Sequence, residues 1–492
     1  MLTFDITDSE GVLINDRMYY SIDDGAKELI QNRNTNEKAL FIECNESYLQ
    51  DAIRNFENEV LSDVGNTRGF RNIVYPQLAV QNAGIGEEPE YYVFTELPDS
   101  YNENAVHQLS KALTVNRFSI YSRIMAAINI AESLSVLKEY IGKCIQSIRP
   151  EEIYINTENG EVYIWIEKWL CKYSEKENAE EFGFSPEWYE SEEKEFTETD
   201  FRFFTAYVIF RLLCSDEPFD GSGTLVEFPL LTKEAIRSIQ CGRYGFALVP
   251  GKNSVSEYIG QGLLKRWRAL PLFVRNEFEK SFTLGISSPE DRTEISTWLK
   301  TMRKMRDCLV FVNGQVRFCD PDVNNKVLFM VIDDYKIPVW PKKAVYWYHT
   351  DAPSSEKNNG VIAGVTSKDG RYYLKNLSGS VWTVTLDKTS NWIQPEQEIE
   401  IVEGMTIQLE NNKLIRIVNG MISDPVKAAD VTVQDVKSAD VTAQDVKAAD
   451  VTVQDVKEAA AAEDEGTCDT DPQSEGGQNP ENIDYNADGK EE

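Results

Sequence analysis

The sequence predicts an α+β fold, followed by an all-β region and by a tail that lacks globular texture. The first observation is an amphipathic helical pattern over residues 116–140, where apolar side chains recur at helical spacing. The second is a hairpin pattern over residues 153–166, in which apolar residues alternate on both sides of the turn sequence NTENG. The third is a series of short apolar runs after Pro321, separated by turn residues, which is typical of an antiparallel sandwich.

Composition excludes several classes of function. The chain has 492 residues and is 41% hydrophobic, which is enough for two or three domains. Its formal net charge is −32 and it has no long basic run, so we expect no nucleic-acid binding and no adsorption to a membrane. Its 8 cysteines form no C-x-x-C pair, which argues against a disulfide framework and against a zinc site. This favours a protein of the reducing cytoplasm. The sequence contains no apolar run long enough to span a membrane and no apolar signal core near residue 1.

The helix, the loop R-P-E-E-I and the hairpin GEVYIWI together resemble the catalytic segment of the protein kinase family. That family has H-R-D-[IL]-K-P-x-N in the loop and D-F-G after the next strand. The alignment anchored on Pro150 places five degenerate equivalents at the catalytic positions: Ser147 at the catalytic Asp, Arg149 at the loop Lys, Glu152 at the metal-binding Asn, and Ile166 and Glu167 within D-F-G.

These replacements remove the chemistry that the resemblance would imply. Phosphoryl transfer needs a carboxylate to accept the substrate proton, and an Asp and an Asn to hold magnesium ions. Ser147 is no base near neutral pH, and Ile166 cannot bind metal. Glu152 and Glu167 are the only substitutes as metal ligands.

Residues 1–98 resemble the small lobe of the family. Gly25 is the single glycine in the turn that stands for the glycine-rich phosphate loop. Phe41 or Glu43 occupies the position of the phosphate-binding lysine on the following strand, and Lys38 is the only basic substitute beside it. A helix over residues 48–64 follows, and Glu96 begins the hinge to the large lobe.

Further along the chain, the resemblance implies structural anchors of a large lobe. Ser185-Pro186-Glu187 is similar to A-P-E, and Arg292 stands where the family places the arginine that pairs with that glutamate. We therefore expect a buried ion pair between Glu187 and Arg292. Asp200 begins a segment that is apolar nearly all round, which predicts a buried helix, and Gly221 ends the turn P-F-D-G that follows it.

The all-β region resembles the end of a forkhead-associated domain. The sequence GRYYLKNLS precedes a strand, as L-x-N-x-S does in that family, and IVEGMTIQL is similar to its closing motif. The S-R-x-H phosphothreonine motif is missing. If a phosphothreonine peptide binds, Lys368, Arg371 and Asn376 are its contacts; the alternative is a purely structural sandwich. His349 is expected on a strand or at its end.

Four regions are predicted: a small lobe at 1–98, a large lobe at 99–315, a β-sandwich at 321–420, and a tail at 421–492. In the tail, KAADVTVQDV recurs with a ten-residue period before an acidic stretch, a composition that predicts disorder.

The resemblance implies a pseudokinase in a bacterial cytoplasm, because fold-supporting positions match the family whereas chemical positions do not. Pro150, Glu187, Asp200, Gly221 and Arg292 are the matching structural residues. Such a protein would need no cofactor and would dock or regulate a protein partner, a phosphatase or an active kinase; its oligomeric state stays open.

Two alternatives remain. One is a divergent serine/threonine protein kinase that uses ATP and magnesium, with Glu152 or Glu167 on the metal and Lys38 on the phosphates. The other is a structural interaction protein with no link to phosphorylation.

Overall fold

The α+β prediction is confirmed by a mixture of helices and sheets along the chain. The computed structural model describes residues 2–6, 11–21, 29–44, 47–60, 73–81, 89–98, 101–102, 104–140, 150–165, 185–187, 196–227, 243–255, 260–312, 315–319, 327–350, 360–387, 389–409 and 412–419. The predicted tail at 421–492 lies outside these residues.

Strands from the first hundred residues close into a small barrel. Its strands are β1 (Leu2–Ile6), β2 (Gly11–Ile14), β3 (Arg17–Ser21), β4 (Leu29–Gln31), β5 (Lys38–Glu43), β7 (Gln77–Val80) and β8 (Tyr91–Glu96), in the order β1-β2-β3-β4-β5-β8-β7. β1 closes the barrel by pairing antiparallel with β2 and parallel with β7. Because side chains alternate along a strand, Phe4, Tyr19, Phe41 and Phe94 fill the interior. Helix α1 (Ser47–Val60) follows β5 and buries Ile53 and Phe56.

A second, four-stranded sheet contains the hairpin that the sequence predicts. Its strands are β6 (Ile73–Val74), β9 (Val106–Gln108), β10 (Ile153–Asn156) and β11 (Val162–Trp165), in the order β6-β11-β10-β9. The hairpin β10–β11 closes with a bond from Gly160 N to Asn156 O of 2.8 Å. Gly160 has φ +78°, a conformation that glycine adopts without strain.

Residues 99–315, predicted as the large lobe, contribute helices to an apolar core that also includes Ile53, Phe56 and Leu78. The helices are α2 (Leu109–Ala112), α3 (Ile120–Leu137), α4 (Glu198–Cys214), α5 (Ser222–Glu227), α6 (Gln261–Ala269), α7 (Leu272–Glu279) and α8 (Ile295–Asp307). A 3₁₀ turn at Lys138–Tyr140 extends α3, and a π-helical turn at Lys280–Leu284 extends α7. Helix α4 is the buried helix that its all-round apolar sequence predicts, since every side chain from Phe203 to Phe210 is buried.

The segment Ile120–Tyr140 is, among the described residues, the one helix long and apolar enough to cross a membrane. Most of it is buried inside the protein, where α3 packs against α4 and α8. It is therefore a core helix of the large lobe.

The all-β region is an antiparallel sandwich, as its turn spacing predicts. Six strands form one sheet: β14 (Leu328–Ile332), β15 (Tyr335–Pro338), β19 (Trp382–Leu386), β20 (Thr389–Ile393), β22 (Thr406–Gln408) and β23 (Leu414–Asn419). Four form the other: β16 (Ala344–Tyr346), β17 (Val361–Lys368), β18 (Arg371–Asn376) and β21 (Glu398–Glu400). Both sheets contribute to one core, in which Met330, Leu374 and Trp382 are buried.

Two features differ from the expected elements. A hairpin of β12 (Leu309–Val312) and β13 (Gln315–Phe318) precedes the sandwich, and Val316 and Phe318 pack on the large-lobe core. The expected strand over residues 344–349 ends at Tyr346, where the chain turns into the short helix α9 (Trp347–Thr350).

Candidate functional site

Residues 1–98 and 99–315, which the sequence predicts as the small and the large lobe, are joined by strand pairing across their boundary. β6 comes from the small lobe and pairs in parallel with β11 of the large lobe, with Ile73 opposite Ile164 and Val74 opposite Trp165. The hairpin that resembles the catalytic segment is thus hydrogen-bonded directly to the small lobe.

Beside this pairing, apolar side chains of both lobes fill the boundary. The inter-lobe cluster consists of the buried Val74, Leu97, Val106 and Tyr163, together with Leu29, Leu40, Tyr101, Tyr154 and Trp165. Aromatic rings dominate its large-lobe side. The ring centroids of Tyr101 and Tyr163 are 5.4 Å apart, and those of Tyr154 and Trp165 are 5.0 Å apart. These ring contacts lie within the large lobe, and Leu29, Leu40, Val74 and Leu97 of the small lobe complete the cluster.

Strand β5 presents Leu40 to the inter-lobe cluster. Phe41, expected at the position of the phosphate-binding lysine, points into the barrel instead and stacks on Tyr92 with a centroid distance of 4.5 Å. Because successive strand residues face opposite sides, Leu40 meets the inter-lobe cluster and Phe41 lies in the barrel, so the alignment places a neutral ring at the lysine position.

The other nucleotide-site candidates lie at the edges of this region. Lys38 is the first residue of β5, half-buried, and its carbonyl accepts a 2.9 Å bond from Leu97 N. Glu96 is exposed and lies 3.4 Å from Arg17 Nη1. Gly25 lies outside the described residues.

Among the degenerate catalytic equivalents, Glu152 is the one within the described residues. It ends the 3₁₀ turn Pro150–Glu152, directly before β10, and only 4% of the residue is exposed. Ser147, Arg149, Ile166 and Glu167 lie outside the described residues. In the part of the chain that the structure describes, no group of three or more His, Cys, Asp or Glu side chains is arranged to hold a metal ion.

The ion pair between Glu187 and Arg292 is present. Arg292 Nη2 donates to Glu187 Oε2 at 2.6 Å, and the Arg292 side chain is 0% exposed, whereas that of Glu187 is 38% exposed. Arg292 also donates to Gly285 O at 2.7 Å and to Thr199 O at 3.1 Å. The guanidinium is thus almost fully satisfied, and the pair is buried on the arginine side alone.

Asp200 organises the start of α4. Its Oδ2 accepts a 2.8 Å bond from Thr197 N, and Thr197 Oγ1 accepts from Asp200 N at 3.3 Å, which makes a reciprocal capping box. Asp200 Oδ1 accepts from Ser185 Oγ, so the carboxylate also binds the segment that contains Glu187.

Gly221 allows two segments to approach closely. A Cβ at Gly221 would lie 1.8 Å from Asn253 O, which is a backbone atom. Asn253 in turn donates to Phe219 O at 2.7 Å, and the ring of Phe219 is fully buried. The turn after α4 is therefore anchored by its glycine and by Asn253.

The three phosphopeptide candidates of the sandwich lie in two different environments. Lys368 and Arg371 are exposed on the β17–β18 hairpin, where Lys368 pairs with Glu398 and Arg371 with Glu400. Asn376 is 0% exposed, and its Nδ2 donates to Ser380 O at 2.8 Å and to Ile393 O at 3.3 Å. Its Oδ1 accepts from Ser378 N at 3.0 Å. Asn376 therefore orders its own loop, and a contact of its side chain with a phosphopeptide stays a prediction.

The large lobe and the sandwich meet in a buried polar contact. His349, expected as a strand residue, lies in α9 with its side chain 0% exposed. Its Nδ1 accepts from Tyr346 N at 2.9 Å, so the neutral ring carries its proton on Nε2 and donates it to Asp307 Oδ2 at 2.7 Å. Arg306 donates to Tyr348 Oη in the same contact.

Sequence reasoning missed this junction. Asp307 ends α8 and His349 lies in the sandwich, and the two are 42 positions apart. The chain has 2 histidines, so His349 stands out in the sequence, but its carboxylate partner follows from how the sandwich packs on α8 and not from any local pattern.

No model of a known protein family matches this sequence, and no curated protein is similar to it.

Proposed function

We propose that this protein is a pseudokinase: a protein kinase-like module without catalytic residues that binds and regulates a protein partner in a phospho-signalling system. The observation that carries the proposal is the inter-lobe cluster. In kinases the phosphates lie between a lysine of the small lobe and metal ligands of the large lobe. The inter-lobe cluster supports the proposal because its described members, among them Leu40, Tyr163 and Trp165, offer no charge to a phosphate or a metal ion.

The order of elements supports the kinase-like part of the proposal. Five neighbouring strands of the barrel have the order β3-β4-β5-β8-β7. Helix α1 follows β5, the third of these strands along the chain. This agrees with a small lobe in which a helix follows the third of five strands. The Glu187–Arg292 ion pair and the buried α4 support the large lobe in the same way.

The forkhead-associated-like sandwich is proposed as the second binding module. Its two antiparallel sheets and single core are consistent with that resemblance. A phosphopeptide on the β17–β18 hairpin would have to displace Glu398 and Glu400 from Lys368 and Arg371. We therefore favour a partner recognised by surface shape, a phosphatase or an active kinase in a bacterial cytoplasm.

A divergent kinase is the second candidate, and one observation favours it. Glu152 is a buried carboxylate at the position of the metal-binding Asn, and a buried carboxylate near a cleft is a common functional group. It would need Glu167 and Lys38 to complete a site.

Nucleotide titration of the full chain distinguishes the two candidates. We expect ATP with Mg²⁺ or Mn²⁺ to leave the thermal unfolding midpoint unchanged. A binder would gain about 2.7 kcal/mol at a ligand concentration of 100 times Kd, which is a shift of several degrees. The matched variants are Glu152→Gln and Glu158→Gln, since Glu158 is exposed in the turn of the same hairpin. A metal-dependent rise that Glu152→Gln abolishes and Glu158→Gln retains would favour the divergent kinase over the pseudokinase.

A further inference from the structure

The junction between α8 and the sandwich contains a small cavity. Its volume is about 70 Å³, and the polar side chains of its lining are Tyr121, Arg306, Asp307, Lys342, Lys343 and Tyr346. Lys342 is exposed and lies at the rim, whereas Arg306 lies inside. The cavity is large enough for a group of several heavy atoms, since a single water needs only about 10–15 Å³ of such volume.

Arg306 is a buried cation with unused donors. Its side chain is 8% exposed, and the guanidinium lies 3.7 Å from the ring centroid of Tyr346. Its Nη2 donates to Tyr348 Oη, and its Nη1 reaches only the sulfur of Met125, at 3.8 Å. Its Nε is buried and has no hydrogen-bond acceptor among the described residues.

Lys343 places a second cation at the same cavity. Its Nζ donates to Arg306 O at 3.0 Å. Burial lowers the pKa of Lys343 to about 8, although the Asp307 carboxylate acts against this shift. A negative charge nearby would strongly stabilise the charged form of an ammonium group in this environment.

The described residues supply one carboxylate for these two cations. Asp307 Oδ1 is 3.9 Å from Arg306 Nε and accepts a 3.4 Å bond from Tyr348 Oη, while its Oδ2 is bound by His349. A buried excess of positive charge is costly unless an anion compensates it. The forked donors of arginine and the point charge of lysine both suit a phosphoryl oxygen.

We propose that this cavity is a binding site for a phosphate monoester or free phosphate dianion, held by Arg306 and Lys343. The anion would contact the end of α8 and the segment that leads into β16, so its binding would strengthen the contact between large lobe and sandwich. This site is independent of the inter-lobe cluster and of the proposed function.

The test uses inorganic phosphate as the probe on the full chain, with chloride at equal ionic strength as the reference. We expect a saturable rise of the unfolding midpoint with phosphate alone. Lys343→Met keeps the length of the side chain but removes its charge, and we expect it to weaken phosphate binding at least tenfold, which corresponds to about 1.4 kcal/mol. Arg306→Gln provides a second variant, and isothermal titration calorimetry provides a readout that does not depend on stability.

Lys300→Met is the matched control. Lys300 lies on the same helix, is 57% exposed and pairs with Asp334 on the surface. It should leave phosphate binding unchanged. Three outcomes would each overturn the proposal. Chloride could raise the unfolding midpoint as much as phosphate does, both cavity variants could bind phosphate like the wild type, or Lys300→Met could lose as much binding as they do. Binding of phosphoserine as tightly as phosphate would identify a phosphorylated side chain as the occupant, and binding of phosphate alone would identify the free anion.

Discussion

Arg292 shows how one residue can hold distant parts of the large lobe together. Its guanidinium binds the backbone carbonyls of Gly285 and Thr199 as well as the carboxylate of Glu187, which is 105 positions away. It also lies over the ring of Phe203 in α4, at 5.1 Å from the centroid. Because its partners come from three segments, its removal should affect the whole lobe.

A double-mutant cycle measures the contribution of this pair. Arg292→Ala should lower the free energy of unfolding by about 3–5 kcal/mol, because it leaves buried carbonyls and a carboxylate without their partner. Glu187→Ala should cost less, about 1–2 kcal/mol, because this carboxylate is 38% exposed and the guanidinium keeps its two carbonyls. The double variant should show a coupling of about 1–2 kcal/mol in urea denaturation. Strictly additive losses would show that the two side chains do not interact in solution.

At the scale of elements, close backbone approaches fix the turn after α4. Gly221→Ala should lower the free energy of unfolding by at least about 1–3 kcal/mol. The added methyl group would lie 1.8 Å from the backbone oxygen of Asn253, so the backbone has to shift to relieve the clash. The matched control is Gly251→Ala, since a Cβ there meets no atom within 4 Å. Thermal unfolding of both variants checks this prediction, and equal midpoints would contradict it.

Elements defined by local patterns could be predicted from the sequence. The all-round apolar run of α4 and the alternation in β10 and β11 report directly on burial and on strand faces. The pairing of β6 with β11 could not be predicted, because it joins short strands about ninety positions apart and neither has a pattern that specifies the partner. A period of two residues likewise identifies a strand without telling which of its faces meets the inter-lobe cluster, so the sequence does not show that Leu40 and not Phe41 lies there.

The candidate sites also divide into those that a local motif predicts and those that form only through tertiary packing. Glu187 and Arg292 could be paired because each lies in a short motif of the resembled family. Asn376 belongs to such a motif too, but the motif does not tell whether its side chain faces a ligand or its own loop. The charged cavity has no sequence signature, because Arg306 and Lys343 meet only when the sandwich packs on α8.

For the whole molecule, the junction makes stability depend on pH through Lys343. Its pKa falls from an ordinary value near 10.5 to about 8 in the folded protein. Below about pH 8 both the folded and the unfolded chain carry the proton, so the full cost of burying the charge is present. Between about pH 8 and 10.5 the folded protein has released the proton while the unfolded chain retains it, so stability contributed by this group rises with pH.

Lys343→Met should therefore stabilise the protein most below pH 8, measured without phosphate. Its free energy of unfolding should exceed that of the wild type by a pH-dependent amount of up to about 3 kcal/mol, because each unit of the pKa shift corresponds to 1.36 kcal/mol. This amount should shrink between pH 8 and 10.5, as the native lysine loses its charge. Urea denaturation at pH 7 and pH 9.5 measures this difference directly. Any constant effect, such as the lost bond to Arg306 O, cancels between the two pH values. Lys300→Met, on the exposed face of the same junction helix, should show no such trend. A difference between Lys343→Met and wild type that does not change with pH would mean that Lys343 is not buried as a cation at this junction.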